Sequence, residues 1–149
     1  MGEVKTTLVN NSSKNINMFN LFKRDKSDKA TKKSEGVNWS ILDKTEILDE
    51  IKTASEAGLV MIYKHSVTCP ISGSALHRLE RHWNKEEMEG LTPYYLDLLR
   101  FREVSNQVAQ VFSVRHESPQ ILVIDQGKCV YHTSHMGINY EDLKKIVQD

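Results

Sequence analysis

The feature that most constrains the fold is an almost continuous apolar run over residues 59–64, with the sequence LVMIYK. A short run without polar alternation is typical of a strand that is buried on both faces of a sheet. Both faces of such a sheet must be covered, and in α/β proteins helices cover them. The chain continues with HSVTCP, in which Pro70 suits the first position of a helix, because its missing N–H needs no partner there.

Apolar spacing predicts one strand and two helices around this run. A short strand is predicted over 37–42, where apolar and polar residues alternate. The helix that follows is capped by Asp43 or Thr45 and ends near Gly58. The second helix covers 70–84. The residues expected to face the core are Ile47, Leu48, Ile51 and Ala54 in the first helix, and Ile71, Ala75, Leu76, Leu79 and Trp83 in the second.

The second half of the chain adds a strand, a helix, a hairpin and a last helix. The strand is predicted over 94–98 and the helix over 103–112. Two runs, 120–125 and 128–132, flank a short turn and predict a β-hairpin. Asn139 opens the last helix. The residues expected to face the core in the two helices are Val104, Val108, Val111 and Phe112, and Leu143, Ile146 and Val147.

The resulting order is β-α-β-α-β-α-β-β-α, which predicts an α/β fold. Strands that alternate with helices pair in parallel, and the terminal hairpin adds antiparallel pairing, so the central sheet is mixed. This is the order of the thioredoxin-like fold, with helices on both faces of the sheet. We predict this domain over 37–149, preceded by a disordered basic and polar tail over 1–36, which has too few apolar residues to form a core. Met18 is an alternative start of the chain.

Composition excludes several classes of protein. The 149 residues suffice for one domain, and 20 basic side chains balance 20 acidic ones, so the charge does not favour nucleic acid as a partner. No apolar run approaches the roughly 18 residues of a membrane span, and the N-terminus has no secretory h-region. Two cysteines, Cys69 and Cys129, are too few for a disulfide framework. We therefore predict a cytoplasmic protein.

Cys69 is the candidate catalytic residue, because it lies between a buried strand and the first turn of a helix. Unpaired N–H groups and the helix dipole favour negative charge there, and the thiolate is the form that attacks disulfides. Pro70 fixes the first turn. Ser72 stands where a dithiol protein has its second cysteine, so we predict monothiol chemistry, with the Ser72 hydroxyl donating to the Cys69 thiolate. The alternative is that Cys69 is buried and inert.

The pair Ser118-Pro119 comes directly before the hairpin. In thioredoxin-like folds a cis-proline at this position lies against the reactive cysteine, and X-Pro is the common route to a cis bond. We expect Ser118 to present free backbone groups to a substrate. The alternative is a trans proline in an ordinary loop.

Three other groups of residues need an interpretation. Cys129 on the last hairpin strand is expected to pack as a small apolar residue; as a resolving thiol it would have to come within about 7 Å of Cys69. His65, Cys69, His77 and His82 do not have the spacing of a usual metal site, so no metal is predicted. The residues expected to raise the positive potential near Cys69 are Lys64, His65 and His116.

The run YKHSVTCPIS over 63–72 resembles the active-site segment of the monothiol bacilliredoxins, a YtxJ-like family of bacillithiol-system proteins. The runs RHESPQ over 115–120 and HTSH over 132–135 are similar to that family as well, and the resemblance covers about 37–149. In this comparison Thr68 and Pro70 match the residues on either side of the motif cysteine. Ser72 matches the position where the monothiol motif has no second cysteine, and Pro119 matches the cis-proline of the family.

The resemblance implies that Cys69 removes bacillithiol from oxidised protein thiols and is regenerated by a second bacillithiol or another reductant. It implies bacillithiolated proteins as clients, bacillithiol as co-substrate without any bound cofactor, and a bacillithiol disulfide reductase as a further partner. Two other functions stay open. One is a non-catalytic thioredoxin-like adaptor that binds peptides, and the other is a monothiol glutaredoxin-like iron–sulfur carrier, although the glycine expected after the cysteine is absent.

Overall fold

The central element of the fold is the strand that the apolar run predicts. The computed structural model describes residues 36–149, so the predicted tail lies outside the described residues except for Gly36. The strands are β1 (Ser40–Ile41), β2 (Leu59–His65), β3 (Leu91–Asp97), β4 (Gln120–Asp125) and β5 (Lys128–Ser134). The helices are α1 (Ile47–Ala54), α2 (Pro70–His82), α3 (Arg102–Val111) and α4 (Tyr140–Gln148), with a 3₁₀ turn at His135–Gly137.

The five strands form one mixed sheet in the order β1-β3-β2-β4-β5. β3 is parallel to β1 and to β2, whereas β4 is antiparallel to β2 and to β5. On β2, Lys64 is level with Leu96 of β3 and with Gln120 of β4. The predicted mixed α/β sheet is confirmed, and β2 lies at its centre.

Alternate residues of β2 divide the core into two layers. Val60 and Ile62 pack with α1 and α3 on one face, and Met61 and Tyr63 pack with α2 and α4 on the other. All four are fully buried. Helices therefore cover both faces of the sheet, as predicted. None of the helices within 36–149 is both long enough and apolar enough to cross a membrane.

Some boundaries differ from the prediction. The strand predicted over 37–42 pairs with β3 only at Ser40–Ile41. Trp39, just before it, packs with the layer of α2 and α4, and its indole N–H donates to the Glu80 carboxylate at 2.8 Å. Helix α1 has Glu46 at its N-cap position without a side-chain cap hydrogen bond, so neither Asp43 nor Thr45 caps it. It ends at Ala54, four residues before Gly58.

Two predicted core positions are wrong. Ile71 on α2 is 53% exposed, and Ala54 on α1 is exposed. On α2 the buried stripe passes through Ser72, Ala75 and Leu79. Ile71 lies one residue and therefore about 100° away from Ser72 around the helix, which turns its side chain to solvent.

The predicted N-cap of α4 is confirmed, because the Asn139 side chain accepts a hydrogen bond from the Asp142 N–H at 2.9 Å. We expect Asn139→Ala to lower the free energy of unfolding by about 1 kcal/mol, since this N–H loses its partner. Urea unfolding of both proteins measures the difference. Asn106→Ala is the matched control on the exposed face of α3 and should change stability by less than about 0.5 kcal/mol; equal losses would contradict the capping role.

Candidate functional site

Cys69 is the N-cap residue of α2, at the junction that the sequence predicts. Its backbone is extended, its N–H donates to the Ser66 carbonyl at 3.2 Å, and its carbonyl accepts from the Gly73 N–H at 3.2 Å. The side chain is neither fully buried nor fully exposed and makes no cap hydrogen bond. Pro70 is the first residue of the helix, and Thr68 Oγ1 lies 3.4 Å from Ser66 Oγ in the connecting turn. The sulfur is therefore held where a helix begins.

The bond between Ser118 and Pro119 is cis, as predicted. Because Lys64 is level with Gln120, Pro119 lies at the end of the sheet where β2 leads into the Cys69 turn. The Pro119 carbonyl accepts from the His135 N–H at 3.1 Å. Among the described residues, Ser118 makes no backbone hydrogen bond, and its Oγ is buried without a partner. Ser118 thus has free polar groups at the end of the sheet where the chain enters the Cys69 turn.

Ser72 does not make the predicted hydrogen bond to Cys69. Its Oγ accepts from the Ser66 N–H at 3.0 Å and shares a 2.8 Å hydrogen bond with His65 Nδ1, and its carbonyl accepts from the Tyr63 hydroxyl at 3.2 Å. No hydrogen bond to the Cys69 sulfur is found within residues 36–149. The side chain is completely buried, so its hydroxyl joins the start of α2 to the end of β2 instead.

The two predicted histidines do not supply positive potential at neutral pH. Burial lowers the pKa of His65 below its usual value of about 6.5, although Asp97 and Glu80 partly oppose this. Partial burial lowers the pKa of His116, and the cations of Lys64 and Arg102 lower it further. Both imidazoles are therefore neutral at pH 7. Of the three predicted side chains, only Lys64 remains as a source of positive charge.

Lys64 is completely buried at the end of β2. Its Nζ lies 3.1 Å from His116 Nδ1, and burial lowers the pKa of Lys64 to about 8. At pH 7 the ammonium form prevails and donates to the neutral imidazole. His116 thus contacts Lys64, a partner that the sequence does not indicate, since the two residues are 52 positions apart.

This pKa predicts a specific pH dependence of stability. Lys64 titrates near pH 8 in the folded protein and near 10.4 in the unfolded chain, so the unfolded chain holds more protons between these values. Burial of the charged Lys64 therefore lowers stability at neutral pH. Stability rises as the pH increases from about 8, and the gain is complete above about pH 10.4. We expect the free energy of unfolding of the wild type, minus that of Lys64→Met, to rise from pH 7 to pH 10.

Chemical unfolding at several pH values measures this difference. Burial raises the pKa of Tyr63, Tyr140 and Cys129, and these groups lower stability at high pH. They are present in both proteins and cancel in the subtraction. A flat difference curve would show that Lys64 titrates alike in both states.

Gln120 is a residue of the site that sequence reasoning missed. It is almost fully buried, its Nε2 donates to the Arg115 carbonyl at 2.9 Å, and its Oε1 accepts from the Glu117 N–H at 3.3 Å. These bonds fix the loop that carries His116 and Pro119. The sequence does contain one indication of this role, because Gln120 is a polar residue directly before the four apolar residues of the run QILVID.

Cys129 lies far from Cys69. Cys129 on β5 pairs with Ile124 of β4, and Ile124 pairs with Val60 near the start of β2. Cys129 is thus two strands away from the start of β2, whereas Cys69 follows the end of β2. Five residues of strand separate these levels by about 17 Å, well beyond the roughly 7 Å of a disulfide. Its thiol donates to the Tyr131 carbonyl at 3.3 Å, and it packs against the layer of α1 and α3. The interpretation as a packing residue is therefore favoured over that as a resolving thiol.

No three His, Cys, Asp or Glu side chains within 36–149 lie close enough together to hold a metal ion. His77 and His82 are exposed on α2, and the Nδ1 of His82 bonds to the Arg78 carbonyl of its own helix at 2.8 Å.

The chain is similar to one protein family over most of its described length. The family model of monothiol bacilliredoxin BrxC matches residues 40–143. This range includes Cys69, the Ser118-Pro119 bond and the Lys64–His116 contact.

Solved structures share the fold. A thioredoxin-fold protein assigned as an oxidoreductase is 28% identical, with a TM-score of 0.61 over 73% of this chain and 92% of that chain. The thioredoxin of Trypanosoma brucei brucei is 16% identical, with a TM-score of 0.58 over 75% of this chain and 93% of its own. Fasciola hepatica thioredoxin is 18% identical, with a TM-score of 0.55 over 72% and 95%. The two thioredoxins show the fold alone, and together with the family match the first structure indicates a redox protein.

Proposed function

Because the chain belongs to the monothiol bacilliredoxin family, we propose that it removes bacillithiol from mixed disulfides on oxidised proteins through Cys69. One observation carries the proposal. Cys69 begins a helix of 13 residues at the end of the sheet where the Ser118-Pro119 loop lies, and the other cysteine of the chain is at the opposite end. A single thiol with an open substrate loop suits exchange with a small thiol better than formation of an internal disulfide.

The reaction has two exchange steps. The Cys69 thiolate attacks the bacillithiol sulfur of the mixed disulfide, forms a Cys69–bacillithiol disulfide and releases the protein thiolate. A second bacillithiol thiolate then attacks the adduct, which releases Cys69 and forms bacillithiol disulfide. Each step breaks one S–S bond and forms another, so bacillithiol supplies the reducing equivalents. A bacillithiol disulfide reductase would return the disulfide to thiol.

The surrounding residues have positioning roles in this proposal. Thr68 and Pro70 shape the turn and the first helical residue, and Ser72 with His65 holds the turn against β2. Ser118 offers its unpaired backbone groups to an extended substrate, and Pro119 fixes their place. The clients are bacillithiolated proteins of the cytoplasm, where thiols are kept reduced.

The test is to identify the adduct that forms on the pure protein. We expect one adduct of the mass of bacillithiol, mapped to Cys69, after exposure to equal amounts of oxidised bacillithiol and oxidised glutathione. Intact-mass and peptide mass spectrometry measure it. A predominant glutathione adduct would overturn the choice of thiol, and an unmodified Cys69 would favour the adaptor function.

A further inference from the structure

We propose that Lys64 and His116 form a subsite for a carboxylate of the small thiol. This inference rests on the proposed function, because it names the part of the thiol that the protein recognises. The two side chains belong to β2 and to the loop before Pro119, which meet at the end of the sheet where the Cys69 turn begins.

The first step is the lack of an anionic partner for Lys64. The side chain is completely buried, yet among the described residues its one hydrogen-bond partner is the uncharged His116 ring, and no carboxylate forms an ion pair with it. Buried charges in proteins are usually paired with an opposite charge. An anion that approaches His116 would supply the missing charge.

The second step is the orientation of the His116 ring. A lysine ammonium can only donate, so Nδ1 of His116 is the acceptor of the 3.1 Å bond, and the proton of the neutral ring is on Nε2. His116 is exposed, and its Nε2–H is available as a donor with the Lys64 cation behind it. A donor backed by a positive charge prefers an anionic acceptor to a neutral one.

The third step is the rigidity and charge of the surroundings. The Gln120 amide binds the backbone on both sides of His116, at the Arg115 carbonyl and at the Glu117 N–H, so the ring is held over Lys64. Arg102 at the start of α3 adds a second cation near His116. The carboxylate of Glu117, which bonds to the Ser134 hydroxyl, is ionised and opposes these two cations, but its effect on His116 is smaller than that of either. The local charge is therefore suited to an anion.

The fourth step is the position relative to the sulfur. His116 comes three residues before Pro119, and Lys64 directly precedes His65, the last residue of β2 before the Cys69 turn. A small thiol joined to Cys69 and lying along this loop would bring its carboxylate to His116. An acidic side chain of a client protein is the competing source of such a group.

The experiment compares two mixed disulfides of one reporter protein, made with 6-mercaptohexanoate and with its neutral amide, 6-mercaptohexanamide. These thiols differ in charge, have the same chain length and leave the client unchanged. We expect the full chain to remove 6-mercaptohexanoate from the reporter roughly tenfold faster than 6-mercaptohexanamide, because only the carboxylate accepts a charge-assisted hydrogen bond. Lys64→Met and His116→Leu should each bring this rate ratio close to one, and His116→Gln, which keeps an acceptor and a donor, should restore part of it.

His77→Gln is the control, an exposed histidine on α2, and should leave the ratio at the wild-type value. Equal wild-type rates for the two disulfides would overturn the subsite and leave an acidic side chain of the client as the source of any carboxylate at His116. A preference that survives in both Lys64→Met and His116→Leu would overturn it as well, because other residues of the chain would then recognise the carboxylate. Failure to remove bacillithiol itself from the same reporter would instead contradict the proposed function. Because His116 is exposed, its variants test the subsite even where Lys64→Met does not fold.

Discussion

Cys69→Ser is expected to abolish removal of bacillithiol from a client protein, whereas Cys129→Ser is expected to retain the wild-type rate. A serine hydroxyl is not ionised at neutral pH and forms no disulfide, so neither exchange step can proceed without the Cys69 sulfur. Cys129 lies at the other end of the sheet, with its thiol bonded to the Tyr131 carbonyl. Mass spectrometry of a bacillithiolated reporter over time measures the rate of both variants.

This pair of variants also tests the monothiol mechanism. Both remove one thiol from a chain that has two, so a general effect of losing a cysteine would lower both rates alike. A resolving role for Cys129 would appear as accumulation of the Cys69 adduct in Cys129→Ser. That accumulation, or residual exchange in Cys69→Ser, would refute the proposal that Cys69 alone carries the chemistry.

The sequence predicted the central strand and the position of Cys69 because both are encoded locally. A short continuous apolar run is typical of a strand inside a sheet that is covered on both faces, and Pro70 marks the start of the helix that follows. Asn139 was recognised as a cap for the same reason, since its partner lies three residues away. Boundaries set by packing were less predictable. The sequence indicates a strand from residue 37, but β1 begins at Ser40, and the Trp39 side chain bonds to Glu80 on another element.

The contacts of the site could not be predicted in the same way. Lys64 ends an apolar run and would ordinarily extend into solvent, but it is buried, and its amino group contacts His116, 52 residues away in the sequence. Ser72 was expected to bond to Cys69 because they share the first turn of a helix. The end of β2 offers Ser66 and His65 as better placed partners, and these cannot be located without the fold. Residue types at the site were thus recognisable, but their pairing was not.

Ser72→Ala is expected to lower the free energy of unfolding by at least about 2 kcal/mol, the largest stability effect that we predict for the site. The hydroxyl is the partner of the Ser66 N–H and of His65 Nδ1, both of which belong to buried residues. Its removal leaves two buried polar groups without that partner, and each such group costs about 1–3 kcal/mol. Urea unfolding followed by circular dichroism measures the loss.

Ser74→Ala is the matched control, because Ser74 is exposed on the same helix two residues further on. Alanine is the better helix former, so this variant should be unchanged or more stable by a few tenths of a kcal/mol. If Ser72→Ala were as stable as Ser74→Ala, the bonds of Ser72 would contribute nothing to the fold. If instead it is less stable and the rate of Cys69 alkylation also changes, then the serine that replaces a second cysteine stabilises the turn that holds the reactive sulfur.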